Sequence, residues 1–155
     1  VFSNDVLPWK LKDFEDLSPG EIYDILALRS QIFVVEQNCV FQEIDGKDKN
    51  AFHLFVHTPE MEVVAACRLL ASASQGPYCA IGRLVVAESC RNIGLGRKIF
   101  GKAIEECHRR WPEKTIFIEA QAYLEKFYSG FGFQRHTEVY MLDGIPHLQM
   151  LKSPG

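Results

Sequence analysis

The segment Arg91-Asn92-Ile93-Gly94-Leu95-Gly96-Arg97-Lys98 carries the residue types needed to bind an anion through backbone and side chain together. It follows an apolar run, Ile81, Leu84, Val85 and Val86, and precedes a stretch in which Ile99, Phe100, Ala103, Ile104 and Cys107 recur on one helical face. Strand, loop and helix are predicted in that order, with Trp111-Pro112 stopping the helix. Arg97 and Lys98 then fall in the first helical turn, where the helix end is partly positive and cations are disfavoured. No acid offsets them, and Gly94 and Gly96 lack the Cβ atoms that would hold a ligand away from the backbone N–H groups. With Arg91 entering the same turn, the loop suits a pyrophosphate.

Two nucleotide motifs are excluded. A Walker A loop ends in Gly-Lys-Ser/Thr, whereas Gly96 is followed by Arg97 and Lys98 with no hydroxyl residue after them. A dinucleotide fingerprint would place glycine where Ile99 stands. Arg91, Gly94 and Gly96 instead match the Arg/Gln-x-x-Gly-x-Gly/Ala motif, and the stretch resembles that loop in the GNAT superfamily of N-acetyltransferases. Downstream, Gln121 to Phe133 resembles the family's Asn-x-x-Ala-x-x-Phe-Tyr-x-x-x-Gly-Phe segment. Phe127, Tyr128, Gly132 and Phe133 match it, while Gln121 and Leu124 stand where Asn and Ala are usual. Phe33 to Cys39 and Asp143 to His147 look like the ElaA branch of the superfamily.

No metal is expected, because the cysteines and histidines lack ligand spacing; the resemblance implies acetyl-CoA as co-substrate. It assigns the backbone of Leu84, Val85 and Val86 to the pantetheine arm. Arg91, Asn92, Ile93, Gly94, Leu95, Gly96 and Arg97 go to the pyrophosphate, Gln121 to a further cofactor contact, and Tyr128 to the CoA sulfur. Tyr128 also has a core-aromatic reading, although Leu124, Phe127 and Phe131 can fill that helical stripe without it.

Acyl transfer to an amine needs an unprotonated amine, a donor for the carbonyl oxygen and help for the departing thiolate. Glu119, an acid inside an apolar strand, is the first candidate base, with a structural ion pair as its alternative. His147 is the second. A backbone N–H near Val86 is the expected oxyanion donor. Glu36 and Gln37 are candidates for the acceptor wall; for Arg29 and Glu36 the other reading is a partly buried ion pair that fixes the helix against the sheet. The leading function is an acetyl-CoA-dependent N-acetyltransferase acting on a small amine or on a lysine or terminal amine. Its rivals are a non-catalytic CoA-binding sensor or interaction module, and acyl-CoA chemistry of the autoinducer-synthase kind, whose helix carries a pair like Arg29 and Phe33.

The elements that must position these residues follow from patterning. Trp9 to Phe14 alternates as an edge strand, and Ser18-Pro19-Gly20-Glu21 starts a helix with a capping box. Ile22, Ile25, Leu26, Ile32 and Phe33 form its stripe, with Arg29 inside that stripe and Glu36 returning to the same face if the helix persists. Glu43, Asp45 and Asp48 around Gly46 lack calcium-loop spacing and suggest a solvated turn. Phe52 to His57 and Val63 to Leu70 form a strand pair across the turn 58–62, with His53 and His57 sharing a face but lacking a third metal ligand. Thr115 to Gln121 is a strand, a short helix carries Tyr123 and Tyr128, and Gln134 to Leu142 pairs with His147 to Lys152 across Asp143-Gly144. The sum is a single α/β domain over residues 1–155. Its mixed, mostly antiparallel sheet has helices on both faces and, by the resemblance, a splayed pair of central parallel strands.

At 155 residues the chain is long enough for one sizeable core. A net charge of −3 gives no reason to expect nucleic acid, and mildly favours a cationic acceptor. Five cysteines without a Cys-x-x-Cys pair argue for reduced thiols over disulfides or zinc. No run approaches a membrane span, so no membrane partner and a cytoplasmic location are expected. A homodimer is left open.

Overall fold

The structure, a computed structural model, describes residues 9–60 and 62–155. Met61, in the expected turn 58–62, lies outside the described residues, as do residues 1–8 of the expected domain. The elements are β1 (Trp9–Asp13), α1 (Pro19–Arg29), β2 (Phe52–His57), β3 (Val63–Leu70), β4 (Cys79–Val86), α2 (Leu95–Arg110), β5 (Ile116–Gln121), α3 (Glu125–Ser129), β6 (Gln134–Arg135), β7 (Tyr140–Leu142) and β8 (Ile145–Lys152).

Helix α1 starts where its residues predict. The Ser18 side chain accepts from the Glu21 N–H at 3.1 Å, and the Glu21 carboxylate accepts from the Ser18 N–H at 2.9 Å. Lys10 and Lys12 of β1 also reach Glu21, at 3.0 and 2.9 Å, which ties strand to helix. Burial would push the Glu21 carboxyl up, but the Ser18 N–H and the two lysines outweigh it and hold the pKa at about 2.

The strands form one sheet in the order β1-β2-β3-β4-β5-β8-β6, with β7 also on β8. Every pair is antiparallel except β4 with β5. That parallel pair joins only at Cys79–Ile116 and Ala80–Phe117; beyond these residues the two strands splay. Period two divides the side chains between layers. Leu54, Val56, Ile116, Ile118 and Ala120 pack with α2 and α3, while Phe55, Ala66 and Val85 pack with Ile25 and Ile32 of the first helix and its extension.

Strand β4 breaks this period. Its register against β3 shifts between Arg68–Gly82 and Ala66–Val85, and Arg83 sits at φ 53°, in the left-handed region that non-glycine residues rarely adopt. Cys79 and Ile81 face α2 before the bulge, whereas Leu84 and Val86 do so after it. The bulge thereby moves the even-numbered residues onto the face that odd-numbered ones held.

Three expectations are corrected. The chain continues past α1 as a wide π-helical turn, Ser30–Glu36, in which the Gln37 N–H bonds Ile32 O at 3.1 Å. Widening changes the angular step, so Glu36 leaves the face of Arg29 and the two do not pair. The expected strand 134–142 is two strands, because the Thr137 hydroxyl accepts from the Gln149 N–H at 3.0 Å and interrupts the ladder.

The third correction is the acidic turn, which is solvated only over residues 44–47. Glu43 and Asp48 are buried, as are Arg29 and Arg68. Arg29 donates to both Glu43 oxygens and both Asp48 oxygens, at 2.6–3.1 Å. Arg68 reaches Asp45 at 2.6 and 2.8 Å and Asp48 at 3.1 Å, and Arg83 bonds Glu43 and Asp45. Three guanidiniums thus meet three carboxylates. An arginine inside an apolar strand, as at Arg68, is the sequence signal that could have located this network, because its charge needs a buried partner.

Candidate active site

The splay opens a cavity of about 370 Å³ between β4 and β5. Phe100 and Tyr128 line it from the α2 layer, and Glu119, Gln121 and His147 line it from the opposite face of the sheet. A cavity touching both layers must pass through the sheet, which it does where the parallel ladder stops.

On the β5 and β8 side, register assembles the polar groups. Gln121 lies opposite His147 and Glu119 opposite Gln149, and both residues of β5 share one face. Glu119 accepts a hydrogen bond from Tyr140 Oη at 2.5 Å. His147 Nδ1 lies 2.7 Å from Ile145 O, so the neutral ring donates from Nδ1 and leaves Nε2 as an acceptor. Gln37, carried in by the π-helical turn, exchanges amide hydrogen bonds with Gln121 at 3.2 and 3.3 Å. Tyr140 was not anticipated; only the hairpin brings it beside Glu119, and burial, followed by that hydrogen bond, raises its pKa.

Tyr128 serves two layers at once. It is 8 % exposed and packs edge-on against Phe100 with ring centres 5.1 Å apart, with Phe127 and Phe133 nearby. It is therefore a core aromatic as well as a cavity residue. Desolvation raises its pKa, which keeps the phenol protonated and able to donate.

At the far end of β4, the expected anion loop runs into α2. Asn92 and Gly94 adopt φ 66° and 80°, and Gly94 caps the helix in the left-handed region. The first turn of α2 contains no acid. A Cβ placed at Gly96 would meet only the Val86 side chain, at 3.7 Å, so the protein itself leaves room there. This cradle of helix N-terminus, glycine and adjacent cations fits a pyrophosphate. Its arginines are engaged within the protein. Arg97 lies over the Phe131 ring at 5.1 Å, and Arg91 donates to Val86 O and, bidentately, to Glu36. Leu84, Val85 and Val86 lie on β4 past the point of splay, and Leu84 also lines the cavity. Ile93 and Leu95 flank Gly94, with Ile93 exposed and Leu95 buried. Arg29 is sealed in its network and is absent from the cavity wall.

Comparison with known proteins agrees with this geometry. Residues 24–154 match the family described as acetyltransferase (GNAT) domain. The chain is 38 % identical over 148 residues to protein ElaA of Escherichia coli (strain K12), covering 95 % of this chain and 97 % of that one. The crystal structure of Escherichia coli ElaA superposes with a TM-score of 0.89, covering 96 % of this chain and all of the other. That of an acyl-CoA N-acyltransferase from Pseudomonas aeruginosa, 36 % identical, also gives 0.89, over 95 % and 99 % of the two chains. The sheet, the splayed parallel pair and the two motifs are thus those of one family: the chain belongs to the GNAT acetyltransferases, in their ElaA-like branch, whose fold supports acyl transfer from acyl-CoA.

Proposed function

We propose that the chain transfers an acetyl group from acetyl-CoA to a primary amine by direct attack. The observation that carries this reading is the cavity through the sheet, with a tyrosine on one side and a carboxylate and an imidazole on the other. Bound acetyl-CoA would supply the activated thioester. Its pyrophosphate would rest on the Gly94 and Gly96 backbone at the start of α2, and its pantetheine along the edge of Leu84, Val85 and Val86.

Each residue then has one task. An aliphatic ammonium at pH 7 costs about 4 kcal/mol to deprotonate, and Glu119, directly or through a water, takes that proton. His147 Nε2 is the alternative acceptor. As the amine nitrogen bonds to the acyl carbon and the C–S bond breaks, negative charge collects on sulfur, where Tyr128 donates a hydrogen bond. Its raised pKa makes full proton transfer uphill, so Tyr128 acts as a hydrogen-bond donor to the leaving group, and the thiolate takes, at or after cleavage, the second proton that the acylated nitrogen loses. Gln37 offers its amide group to the acceptor, while Gln121, held by Gln37, keeps its place as a cofactor contact.

The test is release of free CoA thiol with a panel of amines, run with acetyl-CoA, longer acyl-CoAs and S-adenosylmethionine as co-reactants. Turnover with acetyl-CoA and an amine is expected. CoA binding without turnover of any amine would identify a binding module, and dependence on S-adenosylmethionine would identify synthase chemistry.

A further inference from the structure

Arg91, the arginine expected at the pyrophosphate, is already gripped. Its Nε donates to Val86 O at 3.2 Å, and Nη1 and Nη2 donate to the two oxygens of Glu36 at 2.7 and 3.0 Å. Glu36 ends the π-helical turn, and its neighbour Gln37 pairs with Gln121 in the cavity wall. Glu36 itself is absent from that wall, where it was expected, so the ion pair ties the donor loop to the turn that carries Gln37 into the wall.

We propose that Glu36 is a latch on the donor subsite: it fills the Arg91 fork before CoA binds, is displaced by the CoA pyrophosphate, and so links donor binding to the Gln37–Gln121 wall. The proposal rests on reading the Arg91 loop as the pyrophosphate subsite. Carboxylate and phosphate oxygens compete for the same paired N–H groups of a guanidinium, so one edge of Arg91 cannot hold both. Arg91 and Glu36 side chains are 35 % and 34 % exposed, and ion pairs that wet are weakly held. A pyrophosphate brings more charge than a carboxylate and adds contacts to the α2 N-terminus, which favours the exchange. Glu88 also acts on Arg91, but only through space. If Glu36 instead served to orient Arg91 for phosphate, removing its charge would weaken CoA binding; a latch predicts the opposite sign.

Calorimetric titration with free CoA, using the full chain, separates these cases. Glu36→Gln is expected to bind CoA about two- to fivefold tighter, the range set by the weakness of a surface pair. Glu36→Asp, which keeps the charge, should stay closer to the wild type. Arg91→Ala should bind at least about tenfold more weakly, and adding Glu36→Gln to it should change nothing further. Equal or weaker binding by Glu36→Gln, with Arg91→Ala still impaired, overturns the latch and spares the subsite. A gain that persists in the double variant also overturns it, since it would reflect only the long-range field. Unimpaired Arg91→Ala removes the subsite reading and the latch together. Thermal melts of each variant confirm that folded protein is compared.

Discussion

Arg29 and Arg91 both grip carboxylates in bidentate geometry, but one pair is sealed and the other is wet. Arg29 is 1 % exposed and closed between Glu43 and Asp48. Arg91 and Glu36 each keep about a third of their side chains in solvent. Removing one partner of a buried pair strands a charge in low dielectric, whereas a wet pair can exchange partners with water or ligand at little cost. The same residue types thus build architecture in one place and an exchangeable contact in another. Burial decides which.

The sharpest way to break the comparison is Arg29→Met, which keeps much of the volume and leaves Glu43 and Asp48 facing the remaining two arginines. It should lower unfolding stability by about 3–5 kcal/mol in urea titration; a loss below about 1 kcal/mol would show that the buried network is no more structural than a surface pair. Acid tests the same network. Burial would push the Asp45 and Asp48 carboxyls up, but hydrogen bonds from Arg68 and Arg29, respectively, outweigh it and set both below their ordinary value. Their contribution is therefore fully present above the unfolded pKa near 4 and is lost as pH falls below it. Melting temperature followed from pH 6 downward should hold until that region and then drop.

On the open side, effects should appear in function before stability. Tyr128→Phe keeps the ring contacts with Phe100 and Phe133. It should lower kcat by about tenfold to a thousandfold with acetyl-CoA affinity and melting nearly unchanged. Full activity in this variant would leave the thiolate to depart unaided. Gly96→Val is expected to weaken CoA by at least about tenfold, because a side chain would fill the approach to the backbone. The Cβ itself has room, since it meets nothing nearer than Val86 at 3.7 Å; calorimetry beside a melting curve separates lost binding from lost fold. The smallest effect is the stability of Glu36→Gln, which should lie within about 1 kcal/mol of wild type in the same urea titration. A larger loss would erase the contrast with Arg29.

Local pattern was enough for much of this protein. The Ser18 cap, the strand alternation at 52–57 and the apolar stripe of α2 depend on residues within a turn or two of each other, so their spacing specifies them. The Gly94 turn is likewise local, since few residues other than glycine accept φ 80°. The two motifs, by resemblance, supplied the family and the order of its elements.

Partner choice was not local. Sequence placed Arg29 on the inner face of its helix, but its carboxylates lie fourteen and nineteen residues downstream in a turn whose composition is that of a wet loop. The π-helical turn that moves Glu36 to Arg91, and the bulge at Arg83 that reverses the faces of β4, each insert a single step into a regular period; neither Ser30–Glu36 nor Arg83 carries a residue type that announces it. Tyr140 meets Glu119 only because β7 and β5 both flank β8. Sequence by itself determined where the main helices and strands lie and where the glycine turn before α2 falls, because those depend on short-range backbone geometry. Tertiary structure alone decided which charges are buried and which carboxylate meets which arginine, because these depend on how distant segments exclude water from one another.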